Sequence, residues 1–550
     1  MNGERSTRTR FLIAGCVFGL AACSGGGSDS SPAPIPPAVV QTPSVQTPSY
    51  TVDVFEPADQ FENRCENPRT GVDIEGNAFP DLDGSLSEEL FWLRSWTEET
   101  YLWNDLLTDQ DPNLFTDRLS YFDVLRTDET TASGEDLDDF HFSEPTEDFL
   151  ERRQSAPSAS YGVSYIAFST TVPRDFRVQY TEPNSPASDD TSGLANFIRG
   201  ARILEVDGVD LVNGGATQEE IDILNAGLFP ATAGEIHTFV VQDPGATDSR
   251  TVTLTSENLS DTAVNRTAIL NTPTGDVGYI LFNTFSPFDS EEQIADAMAQ
   301  MSAAGVTDLV LDLRYNGGGL LAVASQLAYM VAGDARTSGR TFEQLEFNAN
   351  AGNRNPVTGE INDPIPFYDQ ALGFSLAAGT QLASLDLGRV FVLSTSDTCS
   401  ASEAVINGLR GIGVEVVLIG DTTCGKPYGF YPTDNCGETY YTIQFRGVND
   451  AGFGDYSDGF VPANSSFAFG ERAPGCVVAD DLNTELGDPA EGLLAAALQY
   501  REDGSCPALP QSSQTFALQR LDGSSGTVAT TAITPPEAVL RTNRDMRLPQ

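Results

Sequence analysis

The sequence predicts a multidomain α/β and α+β protein: a helical N-terminal domain, a small strand-rich domain, and a core on a mixed, centrally parallel sheet. Three observations carry this. The second half alternates strand-like runs (277–282, 308–313, 389–395, 414–419) with helical ones (290–304, 320–332, 400–410). Such alternation requires crossover connections between parallel strands. Residues 158–265 hold short runs of period two, and residues 85–155 carry helical periodicity. At 550 residues the chain has room for three or four domains of about 150.

Taken in order, the chain opens with Arg5, Arg8 and Arg10 before an apolar run at 11–22. That run is too short to span a bilayer and reads as an export signal. It ends in Leu20-Ala21-Ala22-Cys23, which resembles a bacterial lipobox. The resemblance implies a lipoprotein signal peptide at 1–22 and lipidation of Cys23. Ser24 in the next position favours the outer membrane over the inner. Residues 23–50 are rich in Gly, Ser and Pro and make a semi-extended tether. The helical N-terminal domain occupies 51–157. Its main helix starts near Ser85, where Ser85-Leu-Ser-Glu88 forms a capping box, and Trp92, Trp96 and Trp103 share one helical face as a core stripe.

Strands at 176–181, 236–242 and 251–255 mark the domain at 158–265. Between them, residues 185–211 place a tight Asp207-Gly208 turn after Ile203-Leu-Glu-Val206. This stretch resembles the middle of a PDZ domain. The resemblance implies capture of a peptide C-terminus at a sheet edge, with a carboxylate loop at Tyr161, Gly162 and Val163. The core spans 266–506, with an irregular insertion at 336–386 and a further strand at 440–447. Residues 507–550, rich in Ser, Thr and Gln, form a loose tail.

Composition narrows the chemistry. The net charge of -49 repels phosphate backbones and excludes nucleic acid as a partner. Lys426 is the only lysine, and His141 and His237 are the only histidines. Arginine stays protonated and cannot act as a base, so a side-chain base has few candidates. Six cysteines remain after Cys16 and Cys23: Cys65, Cys399, Cys424, Cys436, Cys476 and Cys506. In an exported protein an even number suggests disulfides, with 15 possible pairings. A zinc site is the rival; no Cys-x-x-Cys pair occurs and neither histidine is near.

Three loops each follow a core strand: 315–319 with its glycines, 397–400 with a serine, and 422–427 with the lysine. Parallel neighbouring strands would bring all three to one carboxyl edge, where open α/β sheets place their sites. Ser400 opens a helix whose dipole favours developing negative charge. Lys426, if stripped of water, could take the serine's proton. The glycines let backbone N–H groups approach a substrate as an oxyanion hole. Nucleophile, base and donors together describe acyl transfer. The bland reading is a helix cap, turn glycines and a surface charge.

DLRYNGGG (312–319), TCSASE (398–403) and TTCGKP (422–427) resemble the C-terminal processing peptidases, or tail-specific proteases. The resemblance implies an αβ sandwich peptidase core with Ser400 as nucleophile and Lys426 as general base. The amides of Gly318 and Ala401 would form the oxyanion hole. Ser402 and Glu403 match the motif as structural residues at the helix start. One departure stands out: Phe430 occupies a position where many members of that family carry a Gln that orients the lysine. Thr422 and Thr423 are possible substitutes. A disulfide between Cys399 and Cys424 would brace the site; Cys399 as nucleophile is the rival.

The resulting expectation is a lipid-anchored serine endopeptidase of the bacterial envelope, an outer-membrane lipoprotein facing the periplasm or cell surface. It would act on protein or peptide substrates with no metal or organic cofactor. The alternative is an inactive, protease-like PDZ scaffold that binds envelope proteins; a weaker one is an esterase or amidase. Oligomeric state is not legible.

Overall fold

The computed structural model describes residues 48–154, 157–260, 262–508 and 546–547. The export signal, Cys23 and nearly all of the 23–50 tether lie outside the described residues.

Helix α1 (Leu86–Thr100) begins as its sequence dictates. The Ser85 hydroxyl accepts from the Glu88 N–H at 3.3 Å and donates to the Glu88 carboxylate at 3.0 Å. Trp92 and Trp96 stack on its buried face with ring centres 5.1 Å apart. Trp103 does not share that face. The helix ends before it, and Trp103 instead meets Tyr428 edge-on at 4.7 Å. The rest of this region is less helical than its periodicity suggests. It holds short helices at Arg118–Phe122 and Thr146–Arg153, with a strand at Phe142–Pro145. That strand pairs antiparallel with Glu438–Tyr441, and the Cys65–Cys436 disulfide joins the same two regions. The apolar side chains that read as one face of a helix are spent partly on core residues such as Tyr440.

The strand-rich region comprises β1 (Val163–Ser169), β2 (Asp175–Thr181), β3 (Arg202–Val206), β4 (Ile236–Gln242) and β5 (Arg250–Thr255). They run antiparallel in the order β5-β4-β3-β2-β1, so β1 is an edge. Helix α2 (Gln218–Leu228) packs Ile221 and Leu224 into this domain's own core. Asp207 and Gly208 turn the chain with φ of 50° and 80°, as expected of a tight Asp-Gly turn.

The central sheet orders its strands β6-β7-β8-β9-β10-β11: Val264–Leu270, Val277–Phe282, Asp308–Asp312, Arg389–Ser394, Glu415–Gly420 and Gly475–Val477. Strand β6 is antiparallel to β7, and every later pair is parallel. Strands β7 and β8 are buried along their whole length, which explains their near-continuous apolar sequence. One face receives α3 (Ser290–Ala304), α4 (Leu321–Ala332) and α5 (Ala401–Gly411), through Ile294, Met298, Leu327 and Val405. The other receives α6 (Gly492–Asp503), through Leu493, Leu494 and Ala497.

Two expectations need correction here. The 336–386 insertion is not wholly irregular, because Thr341–Phe347 forms a strand between Ile365–Pro366 and Phe445–Val448. The strand expected over 440–447 is two strands in different sheets, Glu438–Tyr441 and Phe445–Val448. Its middle is diverted: the Ile443 carbonyl accepts from Leu102 at 2.8 Å and the Gln444 side chain accepts from Tyr431 at 2.7 Å.

Glu343 lies on the Thr341–Phe347 strand, buried, and its Oε2 has no hydrogen-bond partner among the described residues. Loss of solvation pushes its carboxyl up to about 8. The folded state therefore holds a proton that the unfolded chain releases near its ordinary carboxylate range. Stability present at acid pH is lost as pH rises toward 8, by about 1.4 kcal/mol per pH unit. Glu343→Gln should flatten this decline, giving a higher melting temperature than the parent at pH 9 and a similar one at pH 4. Calorimetry across that range checks it.

Candidate active site

Strands β8, β9 and β10 are parallel neighbours, so the loops after them leave at one edge. Side chains sew these loops together. Thr395 Oγ1 donates to the Arg314 carbonyl, and Thr398 Oγ1 donates to that of Leu313 at 2.8 Å. The Asn316 carbonyl accepts from the Cys399 N–H at 3.0 Å and from Ser402 Oγ at 2.9 Å. Beneath them Arg314, fully buried, bonds both oxygens of Glu491 at 2.8 and 2.9 Å and Asp312 at 2.8 Å. Its charge is compensated on both sides, which a guanidinium removed from water requires.

Ser400 precedes α5 with φ 58° and ψ −115°. A non-glycine residue held there costs about 1–3 kcal/mol, and such strain gathers at functional sites. Its Oγ is buried and, among the described residues, has no hydrogen-bond partner. An orphaned buried hydroxyl is unusual and suits a group awaiting a substrate.

The hub of the site is Glu403. Its Oε2 accepts from the Ser400 N–H at 3.0 Å and the Lys426 N–H at 2.8 Å. Its Oε1 accepts from Thr423 Oγ1 at 2.5 Å and the Gly425 N–H at 2.9 Å. Burial pushes its carboxyl up, and the four donors oppose that by favouring the charged form. The Cys399–Cys424 disulfide crosses between the same two loops. Cys399, Cys424 and Glu403 also form a cluster of metal-ligand types. Here the sulfurs bond each other and the carboxylate is taken by N–H and O–H donors, so the set is already committed. Cys399 as nucleophile is likewise excluded while its sulfur is in that bond.

Lys426 is fully buried. Its Nζ lies 4.3 Å from the Phe430 ring centre and 4.8 Å from that of Phe140. Phe430, the departure seen in the sequence, thus offers a ring face in place of a hydrogen bond. Thr423 is turned to Glu403 and to the Phe460 N–H, and does not replace the missing Gln. The Gly318 N–H donates to Asn316 Oδ1 at 2.9 Å, so this amide is engaged rather than open. Ala401 begins α5, and its N–H belongs to the first turn, where helix donors lack intrahelical acceptors. His141 is committed to the Phe122 carbonyl at 2.9 Å and Thr442 at 3.2 Å, and burial lowers its basicity. His237 sits in the strand-rich region against Asp207. Tyr161 and Gly162 are committed to that region's own packing: Tyr161 is buried with its hydroxyl on the Gly227 carbonyl, and the Gly162 N–H donates to Ser160 Oγ at 2.9 Å. Val163 begins the edge strand β1.

Residues 276–431, which contain all three loops, match peptidase family S41. A carboxyl-terminal-processing protease of Picosynechococcus sp. (strain PCC 7002) is 27% identical over 245 residues, covering 44% of this chain and 49% of that one. The chain thus spans about half the length of this curated relative. The crystal structure of a Bacteroides fragilis NCTC 9343 protein assigned to the S41 proteases shares the fold, with a TM-score of 0.57 and 22% identity. The match covers 78% of this chain and 99% of that one. A photosystem II D1 C-terminal processing protease aligns at TM-score 0.40 and 20% identity, over 69% and 92% of the two chains.

Sequence reading missed two features of this site. Phe140 comes from the N-terminal region, and nothing local marks it as a neighbour of Lys426. Glu403 passed as a helix-start residue, although its spacing from Ser400 was visible. Glu403→Gln replaces a double acceptor with an amide facing four donors. We expect at least a 10-fold loss of kcat/KM for peptide hydrolysis, since each buried donor left unpaired costs about 1–3 kcal/mol. Glu403→Asp should recover part of it.

Proposed function

We propose that this protein is a serine endopeptidase working through a Ser400–Lys426 dyad. The observation that carries the reading is the shared Glu403 oxygen. It holds the backbone nitrogens of Ser400 and Lys426 no more than about 6 Å apart. In this reading the strained Ser400 hydroxyl and the buried Lys426 amine act in one small volume. Lys426 swings off the Phe140 and Phe430 rings and accepts the Ser400 proton as Oγ attacks a peptide carbonyl. The Ala401 N–H, joined by that of Gly318 once it leaves Asn316, stabilises the oxyanion. The amine returns the proton to the leaving nitrogen and then activates water to release the acyl-enzyme.

Within this proposal the edge strand β1 captures a substrate segment by strand addition, as a PDZ domain would, after Tyr161, Gly162 and Val163. Lipidation at Cys23 would hold the protein in the bacterial envelope. No helix among the described residues is long and apolar enough to cross a membrane. The second reading, an inactive scaffold, draws on one arrangement: Lys426 Nζ rests on aromatic rings while the Gly318 amide is capped.

Ser400→Ala and Lys426→Met should each reduce hydrolysis of an unfolded protein by at least 10³-fold with the fold retained by circular dichroism. The parent should react with a fluorophosphonate probe at Ser400, located by mass spectrometry. An unlabelled parent that also hydrolyses nothing makes the scaffold the correct reading.

A further inference from the structure

Residues Met546–Arg547 form a strand far along the sequence from the core they join. They pair in parallel with Gly319–Leu320, Met546 opposite Gly319 and Arg547 opposite Leu320. Gly319 directly follows Gly318, the proposed oxyanion donor. The same two residues also approach Tyr428–Gly429, which lie just beyond Lys426, and the helix α4. The tail segment therefore enters between the two loops that carry the proposed chemistry.

The edge it meets is fastened to the core along one side only. Gly319 has φ 136°, and a Cβ there would lie 2.3 Å from the Phe285 carbonyl carbon. That close approach fixes this side of the edge to the core: Phe285 donates to the Gly318 carbonyl at 2.8 Å and accepts from the Leu320 N–H at 3.1 Å. One side of Gly319–Leu320 is thus sealed by Phe285 and the other takes a strand. By sequence, the stretch around this pair is basic on an acidic chain. Residues 541–550 carry Arg541, Arg544 and Arg547 against Asp545 alone, on a chain of net charge -49.

We propose that the Gly319–Leu320 edge is a docking site for an extended, basic chain, and that this protein's own segment around Met546–Arg547 is its resident occupant. Docking of this kind reads main chain by strand addition. Tethering gives the segment a high effective concentration over a free peptide. The occupant then stands where a substrate strand would lie and competes with it; only this consequence for turnover rests on the peptidase reading.

The test uses full-length protein in the Ser400→Ala background, so that binding is read without hydrolysis. The probe is a fluorescent peptide of sequence 541–550, followed by anisotropy. Met546→Pro combined with Arg547→Pro in the protein removes both strand amides of the resident segment. The probe should bind this variant at least 10-fold more tightly than it binds Ser400→Ala alone. The same probe carrying both prolines should bind at least 10-fold more weakly. Equal affinity for the two proteins, or no binding to either, overturns the proposal. Independently, hydrogen exchange should show the amides of 546–547 in the unsubstituted tail at least 10-fold slower than in the free peptide; equal rates also overturn it. With Ser400 intact, the double-proline variant should hydrolyse peptides several-fold faster. If docking holds but neither protein hydrolyses anything, the peptidase reading fails and the docking site stands.

Discussion

One buried carboxylate governs the geometry of this site. Glu403 receives the backbone of the serine loop on one oxygen, shares that oxygen with the lysine backbone, and takes Thr423 and Gly425 on the other. A carboxylate in a dry interior is tolerable only when its lone pairs are met. Here the donors that satisfy it are the very groups whose positions matter. The cost of burial and the precision of the site are two sides of one arrangement: if either loop moves, a charge loses its partners.

Other features reinforce this hub rather than duplicate it. The Cys399–Cys424 disulfide limits how far the loops can separate. The Asn316 carbonyl anchors the residue before Ser400 and the one two after it. Below, Arg314 is held by Asp312 and Glu491, and Glu491 also caps α6 by accepting from the Leu493 and Leu494 N–H groups. The glycine-rich loop is thereby tied to the helix on the opposite face of the sheet. Arg199 extends the tie toward the strand-rich region, bonding the Tyr315 hydroxyl at 2.7 Å, while Tyr180 stacks on Tyr315 at 5.6 Å. The positive φ of Ser400 survives because all of its neighbours are fixed.

Where the sequence was misread, the reason is a long-range contact. Trp103 carries helical spacing, yet the helix ends at Thr100 because residues beyond it pair with the core, Leu102 with Ile443. The 440–447 run has strand composition throughout, but diverted backbone groups at 443 and 444 break it between two sheets. Phe140 shows no periodicity that would connect it to Lys426.

Local information did determine a good deal. Alternating strands and helices require parallel crossovers, and crossovers require the three loops to emerge together; both follow from chain connectivity and the period of apolar residues. The capping box at Ser85 and the Asp207-Gly208 turn follow from side chains a few residues apart. What only the tertiary structure decided is how those loops are held. The disulfide partners, the donors that the lysine loop gives Glu403, and the Phe140 ring against Lys426 join residues distant in sequence. Such contacts depend on which surfaces meet when the core closes, and no local pattern encodes them.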